Sequence, residues 1–188
     1  MQSSESMSNK MTVDKVRESL ERNDGHYIKF WNAIIEDFYF LLPNNPRVLD
    51  LGCGFGVQSS ILNALGADVE GVDIDEDALL IAREMTPQST FHKMDMRELS
   101  TDLGKFDCIF SSMATQYLNA EELPVLYRCW NKFIKKDGYL VLLTNRKNFD
   151  KQDYIHLVEP QGYLYIRDGY INQEQQEKGW INCIFKRL

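Results

Sequence analysis

The 188-residue chain changes hydrophobic rhythm once, near residue 46. From Thr12 to Leu42 apolar positions recur three and four apart, the helical period. Val13, Val16 and Leu20 share one face behind Thr12, a good N-cap residue, and Asn23-Asp24-Gly25 predicts a stop. Tyr27, Trp31, Ile34, Ile35, Phe38, Leu41 and Leu42 carry the rhythm into a second helix, closed by Pro43-Asn44-Asn45-Pro46. Beyond that point short apolar runs alternate with helical patterns. Strands are expected over 47–51, 69–74, 90–94, 107–111 and 139–143. Helices are expected over 57–65 with Gly66 as its stop, after Asp75 as N-cap, near 96–100, and from Asn119 to Gly138, where Asn119 and Glu122 have capping-box spacing. Residues 146–158 read as a weak helix. Tyr163-Leu164-Tyr165-Ile166 and Trp180-Ile181-Asn182-Cys183-Ile184-Phe185, separated by the polar stretch Asn172 to Gly179, read as a long hairpin. Strictly alternating strands and helices predict a doubly wound α/β fold, mostly parallel, with right-handed crossovers.

Composition narrows this picture. The length suits a single domain spanning 1–188, with the polar residues 1–11 expected to be mobile. Apolar residues make up 44% and charged residues 26%, ordinary for a globular protein. No run of about 18 apolar residues is present, so no membrane span is expected, and Met1 to Ser6 lacks the apolar core of a signal peptide. Cys53, Cys108, Cys129 and Cys183 show no C-x-x-C spacing and read as free thiols in a reducing, cytoplasmic setting. A net charge of −7 gives no strong nucleic-acid signal, since such a surface wants a basic stripe. No metal site is expected.

The chemistry concentrates at Val48-Leu49-Asp50-Leu51-Gly52-Cys53-Gly54-Phe55-Gly56. An apolar strand runs into a turn with glycines at alternate positions, which permits a tight bend and close approach of a ligand. Asp73 closes the next strand, where nucleotide-binding βαβ units place an acid for ribose hydroxyls. A dinucleotide fingerprint would need a small residue at position 57, and Val57 stands there. This segment resembles the first motif of the class I S-adenosylmethionine-dependent methyltransferases. Gly71-Val72-Asp73-Ile74-Asp75 is similar to their second motif, Phe91-His92-Lys93-Met94-Asp95-Met96 to their third, Phe106 to Ser112 to their fourth-strand motif, and Lys136 to Leu142 to the turn into their fifth strand. The likeness spans residues 47 to 143.

The resemblance implies S-adenosylmethionine as cofactor and a seven-stranded sheet in order 3-2-1-4-5-7-6, ending in an antiparallel hairpin, with helices of residues 12–42 as a lid over the site. It implies cofactor contacts from Asp50, Gly52, Gly54, Phe55, Asp73 (ribose), Ile74, Asp95 (adenine amino group), Met96 (packing on the ring) and Ser111. Read as residues alone, Asp75 is a helix cap, and Gly56 serves either the ligand or helix packing. In-line methyl transfer asks mainly for alignment, and a base only where the acceptor must lose a proton. Gln116 and Tyr117 occupy the loop past strand four, where many resembling small-molecule enzymes carry a His, so they are the candidate catalytic residues. Gln116 cannot act as a base; Tyr117 either holds an acceptor or packs. Met113, Tyr27 and Trp31 are candidates for the acceptor side or a lid, although Trp31 also suits a core. His92 reads as structural, His156 as remote, and Arg146 as a surface residue that an acidic acceptor would also suit. The Pro-Pro-aromatic motif of amino-methylating DNA enzymes is replaced by Ser111-Ser112-Met113-Ala114. A small-molecule acceptor is therefore expected. The alternatives are a protein or RNA methyltransferase acting with a partner, and a fold that binds the cofactor without catalysis.

Overall fold

A computed structural model describes residues 11–147 and 149–188, with only the backbone of Asn23 and Asp24. Of the expected mobile leader, residues 1–10 lie outside the described residues. Seven strands form one sheet in the order β3-β2-β1-β4-β5-β7-β6. They are β1 (Arg47–Leu51), β2 (Asp68–Asp73), β3 (Thr90–Lys93), β4 (Phe106–Ser112), β5 (Ile134–Thr144), β6 (Tyr163–Asp168) and β7 (Ile181–Arg187). The first five run parallel, and β7 enters antiparallel between β5 and β6. Leu51 aligns with Val72 and with Ser111, and Ser111 with Leu142. This register brings the carboxyl ends of β1, β2, β4 and β5 level, so their loops emerge along one rim, where open α/β sheets bind ligands.

Helices α1 (Val13–Tyr39), α2 (Val57–Ala64), α3 (Glu76–Met85), α4 (Leu123–Asn131), α5 (Lys151–Val158) and α6 (Gln173–Glu177) pack around the sheet. Two buried layers result. Ile34, Ile35 and Phe38 of α1 meet Val48, Phe110, Val141 and Ile184 on one face. Leu126, Tyr127 and Trp130 of α4 meet Leu49, Ile109, Leu140 and Phe185 on the other. No helix among the described residues is long and apolar enough to cross a membrane.

The polar stretch expected to join the hairpin holds the short helix α6 (Gln173–Glu177), and three further elements differ from the sequence expectation. The two N-terminal helices are one element, capped by Thr12, whose hydroxyl accepts the Lys15 N–H at 3.3 Å. Gly25 takes φ +69° inside it, so the glycine interrupts the right-handed backbone without ending the helix. The buried stripe from Val13 and Val16 to Phe30, Trp31 and Phe38 continues across it, and that packing overrides the local stop. The helix expected near 96–100 is a turn, because the Asp95 carboxylate accepts the Arg97 N–H at 2.9 Å, a local bond that competes with helix; a single 3-10 turn follows at Thr101–Leu103. The helix expected to reach Gly138 stops at Asn131. Ile134, fully buried, pairs with Phe106, and β5 continues through an irregularity before Tyr139 joins Cys108.

Candidate active site

The turn after β1 is tied to β2 by its backbone. The N–H groups of Gly52 and Cys53 both donate to the Val72 carbonyl, at 2.8 and 3.1 Å. Gly52 takes φ +77°, and a Cβ there would lie 2.3 Å from the Ala114 Cβ. Glycine is thus required both by conformation and by the loop after β4 pressing on it. Gly56, the N-cap of α2 at φ +75°, serves packing: a Cβ would meet the Ala82 Cβ of α3 at 2.9 Å. Asp73 closes β2 and pins the turn. One carboxylate oxygen accepts the Gly54 N–H at 2.8 Å, the other the Asp75 N–H at 3.0 Å. Each oxygen retains a further lone pair. Asp75 caps α3 by accepting from Asp77 and Ala78.

A cleft of about 430 Å³ opens over these ends. Of the expected cofactor residues, Gly52, Asp73, Ile74, Asp95 and Met96 line it, together with Met113 and Tyr117 from past β4. Ile74 and Tyr117 are 66% and 82% exposed, apolar area offered at the cleft. Met113 holds φ +55°, uncommon for a residue with a Cβ, while its N–H donates to the Leu143 carbonyl at 2.7 Å. Val72, Arg97, Ala114 and Leu118 also line the cleft and escaped the sequence reading. Arg97 clamps Asp95, its Nε 2.9 and 3.0 Å from the two carboxylate oxygens, and reaches Glu122 at 3.2 Å. These hydrogen bonds hold the Asp95 carboxyl below its ordinary range, so an ionised acceptor faces the cleft. The two-residue spacing was the available signal for Arg97; nothing local marks Ala114.

The other expected residues do not line the cleft. Asp50, 1% exposed, lies under the turn and accepts the Ser59 hydroxyl at 2.6 Å. Burial pushes its carboxyl up to about 7, against the Ser59 bond and with the Asp73 charge adding to the rise. Ser111 donates to the Leu51 carbonyl at 3.1 Å. Phe55 packs against the α1-side core. Gln116 accepts the Asn145 N–H at 3.3 Å, joining the post-β4 segment to the end of β5. Arg146 donates to the carbonyls of Thr115 (3.2 Å) and Leu118 (2.6 Å), so this arginine braces that segment. Trp31, 3% exposed, belongs to the core and does not line this cleft; Tyr27 meets its ring edge-on at 5.9 Å and lines a separate cavity. His92 contacts Glu70 at 2.8 Å as part of the sheet's packing. His156 is exposed on α5 beside Gln152.

These residues fit an adenosyl group. Gly52 lets a ligand approach the backbone, Asp73 keeps lone pairs for vicinal hydroxyls, and Ile74 and Met96 offer apolar surface for a flat base beside the Asp95 carboxylate.

The chain is similar to known proteins. The methyltransferase-domain family profile matches residues 48–138. A ubiquinone biosynthesis O-methyltransferase of Pelagibacter ubique is 26% identical over 145 residues, covering 73% of this chain and 58% of its own. A ribosomal protein L11 methyltransferase of Thermosipho africanus is 38% identical over 103 residues, covering 50% and 36%. The chain spans about half the length of the curated relatives it matches. A TehB-like S-adenosylmethionine-dependent methyltransferase of Corynebacterium glutamicum superposes with a TM-score of 0.75 at 16% identity, covering 93% of this chain and 97% of that one. Magnesium protoporphyrin IX methyltransferase of Synechocystis, solved with S-adenosylhomocysteine bound, gives 0.71 at 18% identity, covering 92% and 87%.

Proposed function

Since the chain belongs to the class I S-adenosylmethionine-dependent methyltransferases, we propose that it transfers a methyl group by in-line displacement to a nucleophilic atom of a small molecule. The observation that carries this reading is the cleft at the level ends of β1, β2 and β4, with glycine, Asp73 and Asp95 converging on it. When bound there, S-adenosylmethionine supplies an electrophilic methyl group on a sulfonium. The chain supplies position. Asp73 takes the ribose hydroxyls, Asp95 the exocyclic amino group of the base, and Ile74 and Met96 flank its ring. Gln116 and Tyr117, in the segment braced by Arg146, orient the acceptor. Such alignment is worth roughly 7–11 kcal/mol of a barrier. The named activities of the Pelagibacter and Synechocystis proteins support a small-molecule acceptor. The buried free thiols of Cys53, Cys108 and Cys183 agree with a reducing, cytoplasmic setting. The described residues act as one domain in this reading, with α1 beside the acceptor side.

Calorimetry tests the cofactor assignment: S-adenosylhomocysteine should bind in the micromolar range and NAD should not, and the reverse preference would overturn it. The L11 relative, 38% identical over 103 residues, favours a second reading, transfer to a protein. Labelled cofactor incubated with separated metabolite and macromolecule fractions decides between the two by where the label appears.

A further inference from the structure

Outside the cofactor cleft, a cavity of about 380 Å³ opens between the first half of α1 and α6. Three aromatic residues wall it: Tyr27, Phe30 and Trp180. Phe30 holds Trp180 edge-on, ring centres 5.8 Å apart, and the Trp180 N–H donates to the Gln175 carbonyl at 2.9 Å. Rings arranged around one space suit a planar apolar body. Gln175 also lines the cavity, and its side-chain oxygen is buried without a hydrogen-bond partner among the described residues. On the other side of Trp180, where a second hollow of about 280 Å³ adjoins, Asn182 is 2% exposed and its side-chain oxygen is likewise unpartnered. Its amide nitrogen is committed to the Tyr170 carbonyl at 3.0 Å. Buried acceptors left unmade are costly and call for donors.

Two charged residues of the lining have ion-pair partners. Arg22 lies 3.9 Å from Glu18, and Glu174 pairs with Lys178 at 2.5 Å. His26 lines the cavity as well. A chain of contacts along the rim leads from the cavity to the segment past β4. Gln116 joins Asn145, the Asn145 side chain borders Gly179, and Trp180 follows. Met113, which lines the cofactor cleft, packs with Trp180 against one core cluster.

We propose that the cavity at Trp180 receives the methyl acceptor, and that this acceptor is a planar molecule whose hydroxyl or amino groups donate to Gln175. This rests on the small-molecule methyltransferase reading. The test uses the full chain, ¹⁵N-labelled and saturated with S-adenosylhomocysteine. Catechol is titrated to millimolar concentration, against 1,2-dimethoxybenzene, which has the same ring but no donors. The Trp180 indole and Gln175 side-chain amide signals should shift with catechol, and the dimethoxy compound should bind about tenfold more weakly, the scale of one lost hydrogen bond. Gln175→Leu should erase that preference and leave S-adenosylhomocysteine affinity unchanged. Binding of S-adenosylhomocysteine without any catechol shift at Trp180 overturns the cavity assignment and spares the methyltransferase reading. Equal binding of the two compounds to the parent chain overturns the donor class. Failure of S-adenosylhomocysteine itself to bind removes the underlying reading and the proposal with it.

Discussion

The two halves of the rim are built differently. Over β1 and β2 the turn is held by backbone N–H groups within a few positions of a strand end: those of Gly54 and Asp75 donate to the Asp73 carboxylate, and that of Gly52 to the Val72 carbonyl. Over β4, β5 and β7, long-range side chains do the holding: Arg146 reaches back to Thr115 and Leu118, Gln116 meets Asn145, and Trp180 meets Phe30. In the function proposed above, the first half is a preformed cofactor cradle. The second half is assembled from distant parts of the chain, and acceptor chemistry can vary there without disturbing the cradle.

Substitutions can break this contrast, and the largest effect belongs to the cradle. Gly52→Ala forces a Cβ into Ala114 at a left-handed residue, so S-adenosylhomocysteine binding should disappear and stability should fall by about 2 kcal/mol or more; retained binding in calorimetry would show that the two loops separate freely. Asp73→Ala comes next. Losing charge-assisted bonds of roughly 1.5–3 kcal/mol should weaken the cofactor about tenfold to a hundredfold, and circular dichroism should show the fold intact. On the assembled half, Gln116→Ala and Tyr117→Phe should keep S-adenosylhomocysteine affinity within a few-fold, yet at least one should lower turnover of the eventual acceptor by about tenfold. Unchanged turnover in both would move the acceptor toward Thr144 to Arg146.

Asp50 sharpens the contrast through pH. Its folded carboxyl sits at about 7, above the unfolded value of about 3.9. Between those values the folded chain keeps a proton that the unfolded chain has released, so stability declines as pH rises through the window. Asp50→Asn, which retains an oxygen for Ser59, should flatten that decline and raise the melting temperature above neutrality while changing little under acid conditions. A parallel profile for both proteins, measured by thermal melts across pH, would locate the proton elsewhere. The smallest effect is expected at Asp75→Ala: about 1 kcal/mol of stability from a lost cap, read by denaturant unfolding, with cofactor affinity nearly intact.

Legibility follows the same division. The expected positions of β1 and α2, the cap at Asp75 and the strand-end acid Asp73 all agree with the structure, because each depends on periodicity, a cap or a turn within a few residues. Gln116 and Tyr117 could be placed past β4 but not oriented, since Asn145, which bonds Gln116, and Arg146, which braces Thr115 and Leu118, come from the segment after β5.

The amino-acid sequence by itself determined the alternation of strands and helices, the glycine turn and the acids at the strand ends. Hydrophobic period and backbone freedom are local properties, written where they act. Tertiary structure alone decided that α1 runs on through Gly25, that Ile134 leaves a helix for β5, that Asp50 and Trp31 are buried away from the cleft, and that Trp180 faces Phe30. Each of these is settled by burial or pairing with a partner far along the chain, and burial free energy outweighs the few tenths of a kcal/mol per residue of local preference.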